Sequence, residues 1–246
     1  TLARLAAGEL LLAVGTHALI EDPVALPLLA LAVVDEQHRF GVRQRLALRE
    51  KGQAGESPHM LMMSATPIPR TLAMSYYADL DVSVLDELPP GRTPIVTKLV
   101  KDERRDEVIQ RVRDACLKGR QAYWVCPLIE ESEALQLQTA EESFAMLSAA
   151  LPDLAVGLVH GRLKNDEKSA TMAAFAAGAI QVLVATTVIE VGVDVPNASL
   201  MVIEHAERFG LAQLHQLRGR VGRGVHESVC ILLYAQPLSQ SGRERL

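Results

Sequence analysis

The chain has 246 residues, 49% of them hydrophobic and 22% charged, with a formal net charge of -5. That length suits one or two domains, and the composition is that of a globular protein rather than a disordered or fibrous one. Bulk charge lends no support to nucleic-acid binding, and an aromatic content of 4% disfavours recognition by base stacking, so such a function has to reside in local motifs.

Residues 1–90 alternate short apolar runs with helical patterns, as βα units do. The run 10–14 reads as a buried strand. It is too short to span a membrane and lacks the charged lead and cleavage site of a signal peptide. It feeds Gly15-Thr16-His17, a loop that either offers backbone amides to phosphate or is a simple turn. Residues 28–34 form a second continuous apolar run, as expected of a strand covered on both faces, and Asp35-Glu36-Gln37-His38 follows at once. A third run, 59–63, ends at Ser64-Ala65-Thr66, and Pro67 and Pro69 delay the next helix to 70–77.

The stretch Leu88-Pro89-Pro90-Gly91-Arg92-Thr93-Pro94 suits neither helix nor central strand, so 89–94 is the expected linker between domains 1–88 and 95–246. Beyond it the pattern predicts strands at 95–100, 122–126, 155–160, 181–185, 200–203 and 229–234. Helices are predicted at 103–118, 140–150, 166–177 and 211–223. The expected fold is therefore α/β with two parallel sheets. Cys116, Cys126 and Cys230 are odd in number and far apart, which suits reduced cytosolic thiols better than a disulfide frame or a zinc site.

In open α/β sheets, ligands bind beyond the carboxyl ends of the strands. Asp35 and Glu36 stand at such an end, where Asp35 would hold Mg²⁺ and Glu36 would orient or deprotonate an attacking water. An isolated acidic pair more often begins a turn; here Gln37 and His38 extend it. The hydroxyls of Ser64 and Thr66 are expected beside this pair, although either could be an ordinary helix N-cap. In the second half, Thr186 and Thr187 follow a strand, and free backbone amides there suit a nucleic-acid phosphate. Gly192 and Asp194 suit close approach to a nucleotide, with the carboxylate accepting from a ribose hydroxyl; alone, Gly-x-Asp is a turn. His160-Gly161-Arg162 is a further phosphate loop or turn.

The stretch 213–224 reads Gln-Leu-His-Gln-Leu-Arg-Gly-Arg-Val-Gly-Arg-Gly. On a continuous helix Gln216, Arg220 and Arg223 fall at i, i+4 and i+7, on one face. Two guanidiniums and an amide on one stripe suit phosphate oxygens. Gly219 and Gly222 each cost about 1 kcal/mol in a helix interior, which the close approach of another surface would justify. A solvated basic helix end capped by Gly224 is the alternative.

These motifs, in this order, resemble motifs II, III, V and VI of superfamily 2 helicases. The stretches 35–43 (DEQHRFGVR), 64–72 (SATPIPRTL), 79–94 (DLDVSVLDELPPGRTP) and 184–224 resemble the bacterial RecG helicase family, and the likeness runs from Gly15 to Leu246. The resemblance implies two RecA-like domains, the first truncated at its N-terminus, that close over ATP and Mg²⁺ and move along DNA. It gives Asp35 and Glu36 to the metal and the hydrolytic water, and Arg220 and Arg223, with Gln216 beside them, to the transferred phosphoryl group. It makes Gln37, His38, Ser64 and Thr66 the coupling residues. Gly15, Thr16, His17, Gly161, Arg162, Thr186 and Thr187 would face the DNA backbone.

The family acts on branched DNA such as stalled forks and Holliday junctions. A monomeric motor in the bacterial cytoplasm at the nucleoid is the expectation, with no membrane partner. One departure is large: no Gly-x-x-x-x-Gly-Lys-[Ser/Thr] occurs, and none of the 16 glycines is followed by lysine. The chain is therefore expected to be a piece of a longer polypeptide, without ATPase activity of its own. A transcription-repair coupling translocase, a DNA-binding module without catalysis, and a P-loop ATPase unrelated to nucleic acid are the rival readings.

Overall fold

The computed structural model describes residues 1–37, 40–51, 57–64, 81–87, 92, 94–127, 133–186, 195–222, 224 and 227–246, with backbone alone for 133–137. The chain divides into two compact units, Thr1–Asp81 and Val82–Leu246. The division falls ahead of the proline-rich stretch, of which Arg92 and Pro94 are described.

In the first unit a short helix α1 (Leu2–Ala6) precedes β1 (Leu31–Val34), α2 (Val42–Glu50) and β2 (His59–Met62). The two strands pair in parallel, with Leu31 opposite His59 and Val34 opposite Met62. Their small core joins Ile20, Ala32, Val34 and Leu48. The strand expected at 10–14 is absent. Leu11, Leu12 and Val14 are fully exposed or nearly so, and an apolar run becomes a strand only where another strand satisfies its backbone. The run 28–34 is trimmed to Leu31–Val34 for the same reason, since pairing begins where His59 donates its amide to the Ala30 carbonyl at 2.8 Å. Nor is that strand covered on both faces, because Leu31 and Val33 alternate as exposed residues with buried Ala32 and Val34. The helix expected at 70–77 lies outside the described residues.

The second unit is a six-stranded, wholly parallel sheet in the order β3-β8-β7-β4-β6-β5. Its elements in chain order are β3 (Val96–Lys101), α3 (Arg105–Cys116), β4 (Gln121–Val125), α4 (Glu133–Ala150), β5 (Val156–Val159), α5 (Asn165–Ala176), β6 (Val182–Ala185), β7 (Ala198–Ile203), α6 (Leu211–Arg218), β8 (Val229–Tyr234) and α7 (Gln240–Arg245). Strands β4, β6 and β7 are buried at every position, as crossovers that place helices on both faces require.

On one face Trp124, Val184 and Val202 pack with Val108, Ile109 and Val112 of α3 and with Leu147 of α4. On the other, Tyr123, Leu183 and Met201 pack with Phe175 of α5 and with Leu214 and Leu217 of α6. The Tyr123 and Phe175 rings meet at 4.9 Å, tilted by 58°. Helix α4 starts earlier than the expected 140, because residues 133–138 are all good helix formers. Among the described residues, no helix is long and apolar enough to cross a membrane.

Candidate functional site

Because every strand of each sheet runs the same way, the loops that follow them gather at one edge. In the first unit that edge holds Asp35, Glu36, Gln37 and Ser64. Asp35 is exposed, and its Oδ1 accepts the Glu36 amide at 2.8 Å. Glu36 has φ of +50°, a left-handed conformation that costs a non-glycine residue on the order of 1 kcal/mol and that concentrates at functional loops. The turn folds Gln37 back onto the neighbouring strand: it is buried, and its amide donates to the Met63 carbonyl at 3.0 Å, one residue before Ser64. The stretch after the acidic pair and the residue before Ser64 are thus joined through backbone. His38 and Thr66 lie outside the described residues.

Among the described residues no three His, Cys, Asp or Glu side chains cluster around a metal position. A Mg²⁺ ion held together with nucleotide phosphates needs only one or two protein carboxylates and keeps its waters. The exposed Asp35 carboxylate at a strand end fits that demand. Gly15, Thr16 and His17 are exposed on a separate stretch. There the Thr16 side chain accepts from the Ala18 amide at 3.5 Å, capping a short 3-10 turn, His17–Ile20.

In the second unit, adjacent strands β5 and β6 bring His160-Gly161-Arg162 beside Thr186. Gly161 and Arg162 are exposed, and Lys168 donates to the Gly161 carbonyl at 2.8 Å, fixing the loop. Burial holds the His160 imidazole below its ordinary pKa, and the Lys168 and Arg162 cations press the same way against the pull of Glu141 and Glu167. Thr186 corrects an expectation. It is buried, and its amide already donates to the Val159 carbonyl at 3.3 Å, so it does not offer the free amide read from the sequence. Thr187, Gly192 and Asp194 lie outside the described residues.

The arginine stretch needs a larger correction. Helix α6 ends at Arg218, so Gln216 and Arg220 do not share a continuous helical face. The chain tightens instead, with the Arg220 amide donating to the Leu217 carbonyl at 3.0 Å and that of Val221 to the Arg218 carbonyl at 3.4 Å. Fully buried Val221 then turns the backbone into the core, and Gly222 follows with φ of +85°. A side chain at Gly222 would also press on Ile95, 3.0 Å from the Cβ position, and one at Gly224 would collide with the Pro196 carbonyl. Close approach therefore explains Gly222 and Gly224, whereas Gly219 meets nothing beyond its own helix. Gln216 and Arg220 are both partly exposed, and Arg223 lies outside the described residues.

Two residues that the sequence reading passed over are prominent. Arg92 donates from Nε to the Gly222 carbonyl at 3.0 Å and from Nη2 to the Gly219 carbonyl at 3.4 Å. Glu204, directly after β7, is buried among four side-chain donors. Trp124 Nε1 donates to Oε1 at 2.7 Å, Ser143 Oγ to Oε2 at 3.0 Å and Cys126 Sγ to Oε2 at 3.7 Å, and Arg105 forms an ion pair with Oε1. A lone acid directly after an apolar strand was the available signal for Glu204; a lone arginine in a linker gave none for Arg92.

Residues 104–225 match the family model described as the helicase conserved C-terminal domain. The chain is 64% identical over 244 residues to the ATP-dependent DNA helicase RecG of Escherichia coli O157:H7, covering 98% of this chain and 35% of that protein. It is 55% identical over 246 residues to the protein of the same name from Bacillus subtilis, covering 100% of this chain and 36% of the relative. The chain thus spans about a third of the length of the curated relatives it matches. A solved structure of RecG bound to a three-way DNA junction is similar with a TM-score of 0.70 at 47% identity, over 94% of this chain and 29% of that one. The parallel sheets are those of RecA-like helicase domains, and over nearly its whole length the chain is similar to the bacterial RecG helicases.

Proposed function

We propose that this chain forms part of the motor of an ATP-dependent DNA helicase that translocates on duplex and remodels branched DNA. The observation that carries the reading is the 64% identity over 98% of the chain to a relative named as such a helicase. The similar structure bound to a three-way junction supports branched DNA as the partner. Bound Mg²⁺ would supply charge neutralisation on the nucleotide phosphates. Asp35 would hold it, and Glu36 would orient the water or take its proton.

Arg220 and Arg223 would stabilise the charge spread over the transferred phosphoryl group, with Gln216 beside them, a role typically worth about 10³–10⁵ in rate. Gln37 and Ser64, tied through the Met63 carbonyl, support a coupling role in which His38 and Thr66 share. Gly192 and Asp194 would contact the nucleotide. Gly15, Thr16, His17, Gly161, Arg162 and Thr187 would meet DNA phosphates, contacts that are independent of sequence and weaken with salt. The motor acts as a monomer in the bacterial cytoplasm.

The test is ATP hydrolysis and strand remodelling by the natural gene product containing this chain, on linear duplex and on a three-way junction. The reading expects hydrolysis stimulated by DNA and junction remodelling that Glu36→Gln abolishes. Hydrolysis indifferent to DNA, with no remodelling of any substrate, contradicts it. With no Gly-Lys-[Ser/Thr] loop among its 246 residues, the purified chain alone is expected to show no DNA-stimulated turnover.

A further inference from the structure

We propose that Arg92 is a positioning residue for the arginine-bearing turn after α6, setting where Arg220 presents its guanidinium. The inference rests on the reading of Arg220 given above and adds a residue outside motifs II, III, V and VI. A helix leaves its last carbonyls unsatisfied, and its carboxyl end attracts a cation. Here the acceptors are the Gly219 and Gly222 carbonyls, which lie on either side of Arg220 and Val221, and one guanidinium reaches both. The Arg92 fork therefore brackets the two residues between them. Lysine, a point donor on a flexible stem, cannot hold two carbonyls in one fixed geometry.

The bracket acts on a backbone already constrained from its far side. Val221 is fully buried in the core, and Ile95, three residues after Arg92, packs where Gly222 would carry a side chain. Upstream, the Arg220 amide is held by the Leu217 carbonyl at 3.0 Å. Arg92 sits four residues before β3, so the segment entering the second unit is bonded directly to the arginine turn. Removal of the fork leaves Arg220 attached to a looser backbone. A misplacement of about 1 Å at a charge-stabilising group is enough to cost on the order of 100-fold in rate.

Two measurements test this. In the 246-residue chain, amide hydrogen exchange is compared between the parent and Arg92→Ala. The expectation is at least about 10-fold faster exchange at Arg220 and Val221, with the β7 amides unchanged. In the natural gene product, DNA-stimulated ATP turnover should fall about 10- to 100-fold in kcat for Arg92→Ala, with KM for ATP within about twofold, because the residue sets transition-state geometry and not ground-state binding. Arg92→Lys should lie between the two. If Arg92→Ala loosens the whole unit, Arg92→Lys carries the same comparison.

Unchanged exchange at Arg220 and Val221 overturns the proposal, as does faster exchange there with kcat unaltered or with the loss confined to KM. Arg220→Ala is assayed in parallel. If it abolishes turnover while Arg92→Ala does not, only the inference about Arg92 fails. If Arg220→Ala also leaves turnover intact, it is the reading of Arg220 that fails.

Discussion

The carboxylate of Glu204 tests the packing of the second unit most sharply. Its side chain is 3% exposed and receives donors only: the indole of Trp124, the hydroxyl of Ser143, the thiol of Cys126 and the guanidinium of Arg105. Glu204→Gln keeps the shape and can turn its NH₂ group toward Ser143, whose hydroxyl rotates to accept, but it removes the charge that pairs with Arg105. Breaking a buried ion pair costs about 3–5 kcal/mol. The lower end applies here, because the Arg105 side chain is 27% exposed and regains some hydration when its partner is removed. With a urea m-value of about 2 kcal/mol/M for a domain of this size, a loss of about 3 kcal/mol lowers the unfolding midpoint by about 1.5 M.

Trp124 is the chain's only tryptophan and is fully buried in this unit, so its fluorescence reports unfolding of this unit alone, with circular dichroism as the control. In an Arg105→Met background the same substitution should cost distinctly less, as expected of residues in one network. A midpoint shift below about 0.3 M, or full additivity of the two substitutions, refutes the argument.

The thiols give a second prediction. Burial pushes Cys116 and Cys126 up to about 11 and Cys230 up to about 12, so all three should resist a thiol reagent at pH 8 in the native chain and react together in denaturant. Rapid native labelling of any one of them would show that its burial is wrong. His160 gives a third. Its folded pKa lies below its ordinary 6.5, so the stability that goes with the neutral ring is present above that value and is lost as pH falls through the folded pKa. An NMR titration should place its midpoint below 6.5, and His160→Gln should flatten the stability profile between about pH 7 and 5. A midpoint at or above 6.5 contradicts this.

The second unit was legible because its strands are continuous apolar runs between helical patterns, and the strand at 229–234 falls where the pattern placed it. The apolar run at 10–14 misled, because pairing depends on a neighbour that hydrophobicity alone does not reveal. The acidic pair and the serine stretch were legible as strand-end loops, and the β1–β2 pairing supplies their contact. The arginine motif was legible as chemistry and illegible as geometry. Helical spacing over 213–224 assumed that a periodic pattern continues through Gly219, whereas burial of Val221 and the left-handed Gly222 end the helix at Arg218. Thr186 failed for a related reason, since its free amide depended on β6 ending before the last bond to β5.

The proposed function has the acidic pair and the arginine turn act in one hydrolytic step. A double-mutant cycle on DNA-stimulated ATP turnover by the natural gene product, using Glu36→Gln and Arg220→Ala, measures it directly. The account predicts that each substitution alone lowers kcat by about 10³ or more and that the double variant is scarcely slower than either, because groups acting together in one transition state are strongly non-additive. Turnover within a few-fold of the parent for either single variant, or two losses that simply multiply, would contradict it.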